Sequence, residues 1–169
     1  YVVMDSAYGE LACKTQGAGR LPEASSIVEE VVALLAPKDL VGENILVTAG
    51  PTEEPLDPVR FITNLSSGKM GYALARVAHR RGARVTLITG PTDLPAPQVD
   101  KLIQIRTARE MYEAVLDNFQ NATIIIKAAA VADYRPALLS KEKIKKKNQP
   151  LALVLERNAD IIEEIGKVK

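Results

Sequence analysis

Tryptophan is absent from the 169 residues, phenylalanine occurs twice and cysteine once. So few large aromatics argue against a protein that stacks bases or sugars on flat rings. With Cys13 alone no intramolecular disulfide can form, which suits a reducing cytosol, and a cytoplasmic location is expected. No apolar run approaches the ~18 residues of a membrane span, and no secretory-signal pattern is present. An excess of charge of one sign is missing too. Lys and Arg number 22 against 21 Asp and Glu, a net charge of +1, so the chain as a whole is neither a nucleic-acid coat nor a membrane-surface binder. An electrostatic partner must meet a local patch. No His/Cys cluster has zinc spacing, and no metal site built from side chains is expected. What is present is 47% hydrophobic and 25% charged residues, the composition of a globular protein with room for an ordinary core. The chain opens at Tyr1 without an initiator Met and ends in a helical pattern at Lys169, so a fragment of a longer polypeptide is expected.

The stretch Asn44–Gly71 organises the rest. Ile45-Leu46-Val47 suits a buried parallel strand and runs into the small-residue turn Thr48-Ala49-Gly50-Pro51-Thr52. Pro51, Pro55 and Pro58 then exclude a regular helix. Asn64-Leu65-Ser66-Ser67-Gly68-Lys69 leads into a helix predicted over about 68–81, with Met70, Leu74, Val77 and Ala78 at apolar spacing. A strand, a glycine turn and a helix N-terminus make a place for a phosphate, because free amides and the helix dipole favour anions. Two familiar versions fail. Thr63 and Met70 stand where a P-loop needs Gly and a hydroxyl, and no G-x-G-x-x-G follows the strand.

Before this stretch, residues 1–21 read as irregular and glycine-dotted. Ser25-Ser26 is the predicted cap of an amphipathic helix carrying Ile27, Val28, Val31, Val32 and Leu35, which Pro37 stops. A boundary falls near 36–43. After it, strands are predicted at 84–89, 102–106, 123–126 and 151–155, the one at 123–126 apolar enough to be central. Thr107 is the expected cap of a helix to about Phe119, and Asn158-Ala159-Asp160 opens a last one. The β–α–β order predicts an α/β, Rossmann-like doubly wound, mainly parallel sheet with helices on both faces.

Several residues carry two readings. Asp133 follows the alanine-rich turn Lys127-Ala128-Ala129-Ala130 and suits either a turn cap or an acceptor for a ligand. The run 141–147 holds five lysines; it suits a solvated loop, a basic flap over a polyphosphate, or a nucleic-acid contact lacking nearby aromatics. His79 reads as structural, and Cys13 as an incidental or a reactive thiol.

The runs AGPTEEPLDPVRFITNLSSGKMGYALA, ITGPTDLP, AAAVADYRP, KIKKK and LERNADII strongly resemble phosphopantothenate–cysteine ligases (phosphopantothenoylcysteine synthetases) of coenzyme A biosynthesis, in their bacterial bifunctional form. The likeness is collinear from about Asn44 to the C-terminus. The preceding GELACKTQGAGRLPEASSIVEEVV resembles the tail of the fused FMN-dependent decarboxylase. It implies residues 1–40 as that tail plus linker and 41–169 as a CTP-dependent ligase domain, truncated at its C-terminus.

The resemblance implies a two-step reaction in which the 4'-phosphopantothenate carboxylate attacks the CTP α-phosphate. The cysteine amine then displaces CMP from the acyl-cytidylate. Asn64 matches the family's asparagine that handles this intermediate, and Lys143 its flap lysine at the CTP phosphates. Lys127, Ala128, Ala129, Asp133, Ala159, Asp160, Ile161 and Ile162 match CTP-contacting positions. Gly50, Ser66, Ser67 and Gly68 complete the expected nucleotide cradle. Lys127 departs from a small residue and Ala159 from a frequent proline. Mg²⁺ is expected with CTP, held mainly by its phosphates. Cys13 matches the decarboxylase cysteine, with FMN expected only where the whole decarboxylase is present. The family implies homodimers through the ligase domain and larger homo-oligomers of the fused protein, with no nucleic-acid or membrane partner. The other classes are a dinucleotide-dependent oxidoreductase and a basic-loop nucleic-acid module.

Overall fold

The computed structural model describes residues 1–146 and 150–168, so Lys147 of the lysine run and the terminal Lys169 lie outside the described residues. The chain divides into two compact units, 1–38 and 39–169.

Unit 1 is more regular than its glycines suggest. Strand β1 (Ala7–Glu10) pairs antiparallel with β2 (Gln16–Arg20). Their turn is closed by the Leu11 amide on the Thr15 carbonyl at 2.9 Å, and Lys14 adopts φ 63°. The irregular reading is therefore corrected: the glycines sit within and beside an extended ribbon. Helix α1 (Ala24–Leu35) begins at Glu23, which makes no side-chain cap, so Ser25 and Ser26 fall inside the first turn and cap nothing. No residue of 1–38 is buried, and the apolar face with Val28, Val31 and Leu35 is exposed.

Unit 2 is built on strands β3 (Asn44–Ala49), β6 (Arg84–Thr89), β7 (Lys101–Gln104) and β8 (Ile124–Lys127). Between the first two lie β4 (Glu53–Pro55), β5 (Phe61–Thr63) and α2 (Lys69–Arg80). The sheet order is β7-β6-β3-β8, with every pairing parallel. The chain thus steps outward from β3 twice and then returns to β3's other side, which puts a topological switch point between the C-terminal ends of β3 and β8. Strand β8 was expected to be central. Among the described residues it is the edge strand, paired with β3 alone and with Ile124 exposed, although Ile126 packs against the core on the α2 side of the sheet and Ile125 against the core on the opposite side.

Alternation along β3 sends Ile45, Val47 and Ala49 to one face, where they meet Tyr72, Ala75 and Ala78 of α2. Leu46 and Ile88 go to the other, with Met111 and Val115 of α3 (Ala108–Asn118) and Ile161 and Ile165 of α4 (Ile161–Gly166). Helices therefore cover both faces, as the doubly wound reading requires. Helix α2 buries Gly71, Tyr72, Ala75 and Ala78, while Met70 and Val77 are exposed, a rotation from the predicted apolar stripe. Close approach explains it: a Cβ on Gly71 would lie 2.4 Å from the Ala49 Cβ. No side chain fits at position 71 itself, and Ala75 and Ala78 keep the rest of the contact short.

Two caps follow the sequence. Thr107 and Glu110 form a capping box on α3, and Asp160 accepts from the Ile162 and Glu163 amides of α4. The strand expected at 151–155 is displaced. Strand β10 (Leu155–Arg157) pairs antiparallel with β9 (Tyr134–Pro136), outside the parallel sheet. The proline-broken excursion also contains structure that its prolines conceal, since β4 and β5 pair antiparallel across a turn at 56–60.

Candidate active site at the sheet switch point

Beyond their last ladder residues, β3 and β8 stay joined. The Ala130 amide donates to the Gly50 carbonyl at 2.8 Å, and the Thr52 amide to the Ala130 carbonyl at 3.2 Å. Two fully buried hydroxyls fix the same turn, Thr48 Oγ1 accepting from the Ala129 amide and Thr52 Oγ1 from the Ala132 amide. The alanine run is thus held as an ordered turn against the backbone of Gly50–Thr52.

The loop leaving β5 crosses this turn. Asn64 Nδ2 donates to the carbonyls of Ala130 at 3.2 Å and Val131 at 3.3 Å, so the asparagine sits at the switch point with both amide hydrogens directed at main-chain oxygens. Gly68 then enters α2 with φ 72° and no side-chain cap, leaving the first amides of the helix without a side-chain acceptor. A Cβ on Gly68 would lie 3.3 Å from the Gly50 nitrogen, and one on Gly50 3.0 Å from the Gly90 carbonyl oxygen. Glycine is required at both positions by contact as well as by their positive φ. Ser67 is tied down through its carbonyl, which accepts from Thr92 Oγ1 at 3.1 Å.

A cavity of about 190 Å³ lies alongside, lined by Lys127, Ala129 and Asp133 from the β8 turn and by Arg157, Ala159, Asp160 and Ile161 from the β10–α4 junction. Asn158, not singled out by the sequence reading, stitches its two walls. Its amide donates to the Asp133 carbonyl at 2.8 Å, its Nδ2 to the Ala132 carbonyl at 2.7 Å, and its Oδ1 accepts from Arg135 at 2.7 Å. Asp160 is held below the ordinary carboxylate range by the Glu163 amide first, then by the Ile162 amide and the charges of Lys127 and Arg157. Its carboxylate is therefore engaged at the helix start. Ile161 is buried in the core, so only its backbone can face a ligand, whereas Ile162 is exposed.

Lys143 stands elsewhere. It lines a cavity of about 830 Å³ with Arg60, Ile144, Lys145, Lys146, Pro150 and Leu151, which shares no lining residue with the Asp133 cavity. The link is the turn at 56–60. Asp57, buried, accepts from the amides of Val59, Arg60 and Ile144, and from the Arg60 guanidinium. The Ile144 amide, then the Val59 and Arg60 amides and the Arg60 guanidinium, hold Asp57 far below the ordinary carboxylate range against the cost of desolvation. Asp57-Pro58 carries an Asx-turn signal in the sequence that could have been read; its bond to a segment 87 residues away could not.

A buried Glu54 accepts from the Ala108 amide at 2.8 Å and Glu53 pairs with Arg106 at 2.8 Å, together fixing the β4–β5 ribbon to the start of α3. His79 lies on α2 with Nδ1 3.4 Å from Asp100, away from the switch point, in keeping with its structural reading. Cys13 is exposed in the β1–β2 turn, where the Thr15 hydroxyl lowers its thiol's pKa. Among the described residues no group of three His, Cys, Asp or Glu could hold a metal, and no helix is long and apolar enough to cross a membrane.

Residues 40–169 match the family described as the DNA/pantothenate metabolism flavoprotein C-terminal domain. The coenzyme A biosynthesis bifunctional protein CoaBC of Vibrio cholerae is 46% identical over 168 residues, covering 98% of this chain and 42% of that protein. CoaBC of Escherichia coli K12 is 47% identical over 165 residues, covering 95% and 41%. A crystal structure of the C-terminal domain of a CoaBC superposes with a TM-score of 0.68 at 48% identity, over 77% of this chain and 61% of that one. The chain spans about two-fifths of the length of these curated relatives.

Proposed function

Because the chain belongs to the DNA/pantothenate metabolism flavoprotein C-terminal domain family, we propose that residues 41–169 catalyse the CTP-dependent joining of 4'-phosphopantothenate to cysteine. The observation that carries the reading is the meeting of the Asn64 loop with the β8 turn at the switch point. There a nucleotide held by one wall faces an acyl group brought by the other.

In the first step a carboxylate oxygen of 4'-phosphopantothenate bonds to the α-phosphorus of CTP and the bond to pyrophosphate breaks. In the second, the cysteine nitrogen bonds to the acyl carbon, CMP leaves with the bridging oxygen, and the nitrogen gives up its proton. Gly50, Ser66, Ser67 and Gly68 supply backbone approach and open amides to phosphate oxygens. Lys127, Ala128, Ala129, Asp133, Ala159, Asp160, Ile161 and Ile162 border the rest of the nucleotide. Lys143 neutralises charge on the phosphates. Asn64 exchanges a carbonyl partner for the acyl oxygen and stabilises it as it turns anionic, without adding charge of its own. Mg²⁺ would accompany CTP, held mainly by its phosphates, and would offset their charge.

Residues 1–40 are assigned to the tail of a fused decarboxylase and its linker, with Cys13 as that half's thiol. FMN belongs to the rest of such a decarboxylase, because no residue of 1–38 is buried and unit 1 alone has no interior to wall a flavin. A cytoplasmic homodimer through the ligase domain, in a larger homo-oligomer of the fused protein, completes the proposal. It is tested by pyrophosphate release that requires CTP and 4'-phosphopantothenate together; release with neither dependence would refute it.

A further inference from the structure

The turn at 56–60 contains an expense that a surface turn does not need. The Asp57 side chain is fully buried and ionised, and burying a carboxylate is tolerated only when its oxygens are saturated with donors. Oδ1 takes the Val59 and Arg60 amides at 2.9 and 2.8 Å, a local arrangement sufficient for the turn itself. Oδ2 does something different. It takes Arg60 Nε at 3.0 Å and the Ile144 amide at 3.0 Å, and Arg60 returns a hydrogen bond to the Ile144 carbonyl. Both backbone polar groups of residue 144 are thereby claimed by the turn. A second tie lies close by, the Ser140 amide on the Leu56 carbonyl at 3.0 Å.

The residues on either side of Ile144 are Lys143 and Lys145, which with Lys146 and Arg60 line the 830 Å³ cavity. Cations crowded in this way repel one another, and long lysines on an untethered segment would spread into water. A fixed backbone at residue 144 keeps them around one cavity. The same turn continues through β5 to Asn64, so the tether also couples the basic segment to the acyl-handling loop.

We propose that Asp57, acting with Arg60, is a positioning residue: it latches the basic segment 140–146 to the β4–β5 turn and so sets Lys143 against the phosphates of the bound nucleotide. This rests on the role given to Lys143 above. The test uses the full polypeptide and two readouts. In Asp57→Asn the side chain keeps its shape and its Oδ1 bonds, but an amide nitrogen replaces the acceptor for Ile144. Trypsin cleavage within 141–146, without nucleotide and well below the melting temperature, should quicken roughly tenfold and more than cleavage elsewhere in the ligase unit, the loss of one charge-assisted bond setting the scale. Pyrophosphate release should fall about 10- to 100-fold in kcat, with the KM for cysteine unchanged. Ile144→Pro deletes the donor from the other side and should reproduce both effects, which keeps the test valid if Asp57→Asn does not fold. Unchanged cleavage and unchanged kcat in either folded variant would overturn the latch. A wild type that consumes no CTP while Asp57→Asn still loosens the segment would instead overturn the role of Lys143 and leave the latch standing.

Discussion

At the scale of single residues, the proposed function asks most of Asn64. Its amide nitrogen faces two main-chain carbonyls, so an aspartate there would set a carboxylate against oxygen. Asn64→Asp should still release pyrophosphate yet accumulate the acyl-cytidylate, because the second step loses its neutral donor. Quenched-flow separation of the intermediate checks this, and normal product formation would contradict it. Asp57 makes a different prediction. Its folded pKa is depressed, so its contribution to stability is present above the unfolded value of about 4 and is lost as pH falls toward the folded value. Asp39 and Asp160 are lowered as well, the former by Arg81. Denaturant unfolding at pH 3 and pH 7 should therefore show a smaller acid loss in Asp57→Asn than in wild type. An unchanged acid loss would mean that Asp57 does not carry it.

At the scale of elements, α2 is set by small residues. Adding a methyl in Gly71→Ala forces a contact 2.4 Å from the Ala49 Cβ and 3.0 Å from the Thr48 carbonyl oxygen. Overpacking of this kind costs about 1–3 kcal/mol, readable by urea unfolding. Thr107→Ala, which removes a capping box from α3, should cost ~1 kcal/mol. A gain in stability from Gly71→Ala, as helix propensity alone would give, would argue against the close α2–β3 contact. The β–α–β order, the Thr107 and Asp160 caps and the switch-point loop were all legible, because each rests on local periodicity or cap chemistry. The buried face of α2 was not, since what selects Gly71 and Ala75 is the strand beneath them. The β4–β5 ribbon was hidden for a similar reason. Its anchors, Glu54 on α3 and Asp57 on residue 144, join residues more than fifty positions apart. Strand β8 misled through composition, as three consecutive isoleucines do not reveal how many neighbours a strand has.

At the scale of the whole molecule, a parallel sheet with the Rossmann order carries neither the dinucleotide fingerprint nor a P-loop, and the proposed function draws on three separated stretches. Gly50–Gly68 and the β8 turn meet through the fold, while the basic segment lines a separate cavity tied to the 56–60 turn. The resemblance implies a common purpose for them; the structure shows Asn64 bonded to Ala130, Asn158 to Ala132 and Ile144 to Asp57. Binding only the folded state, CTP with Mg²⁺ should raise the melting temperature of the full polypeptide more than ATP does. The most direct measurement of the central claim is pyrophosphate release by that polypeptide with CTP, 4'-phosphopantothenate and cysteine, each omitted in turn. The account predicts release that needs CTP and 4'-phosphopantothenate but survives omission of cysteine for one turnover, with amide product only when all three are present. Release that proceeds equally with ATP, or without 4'-phosphopantothenate, would contradict it.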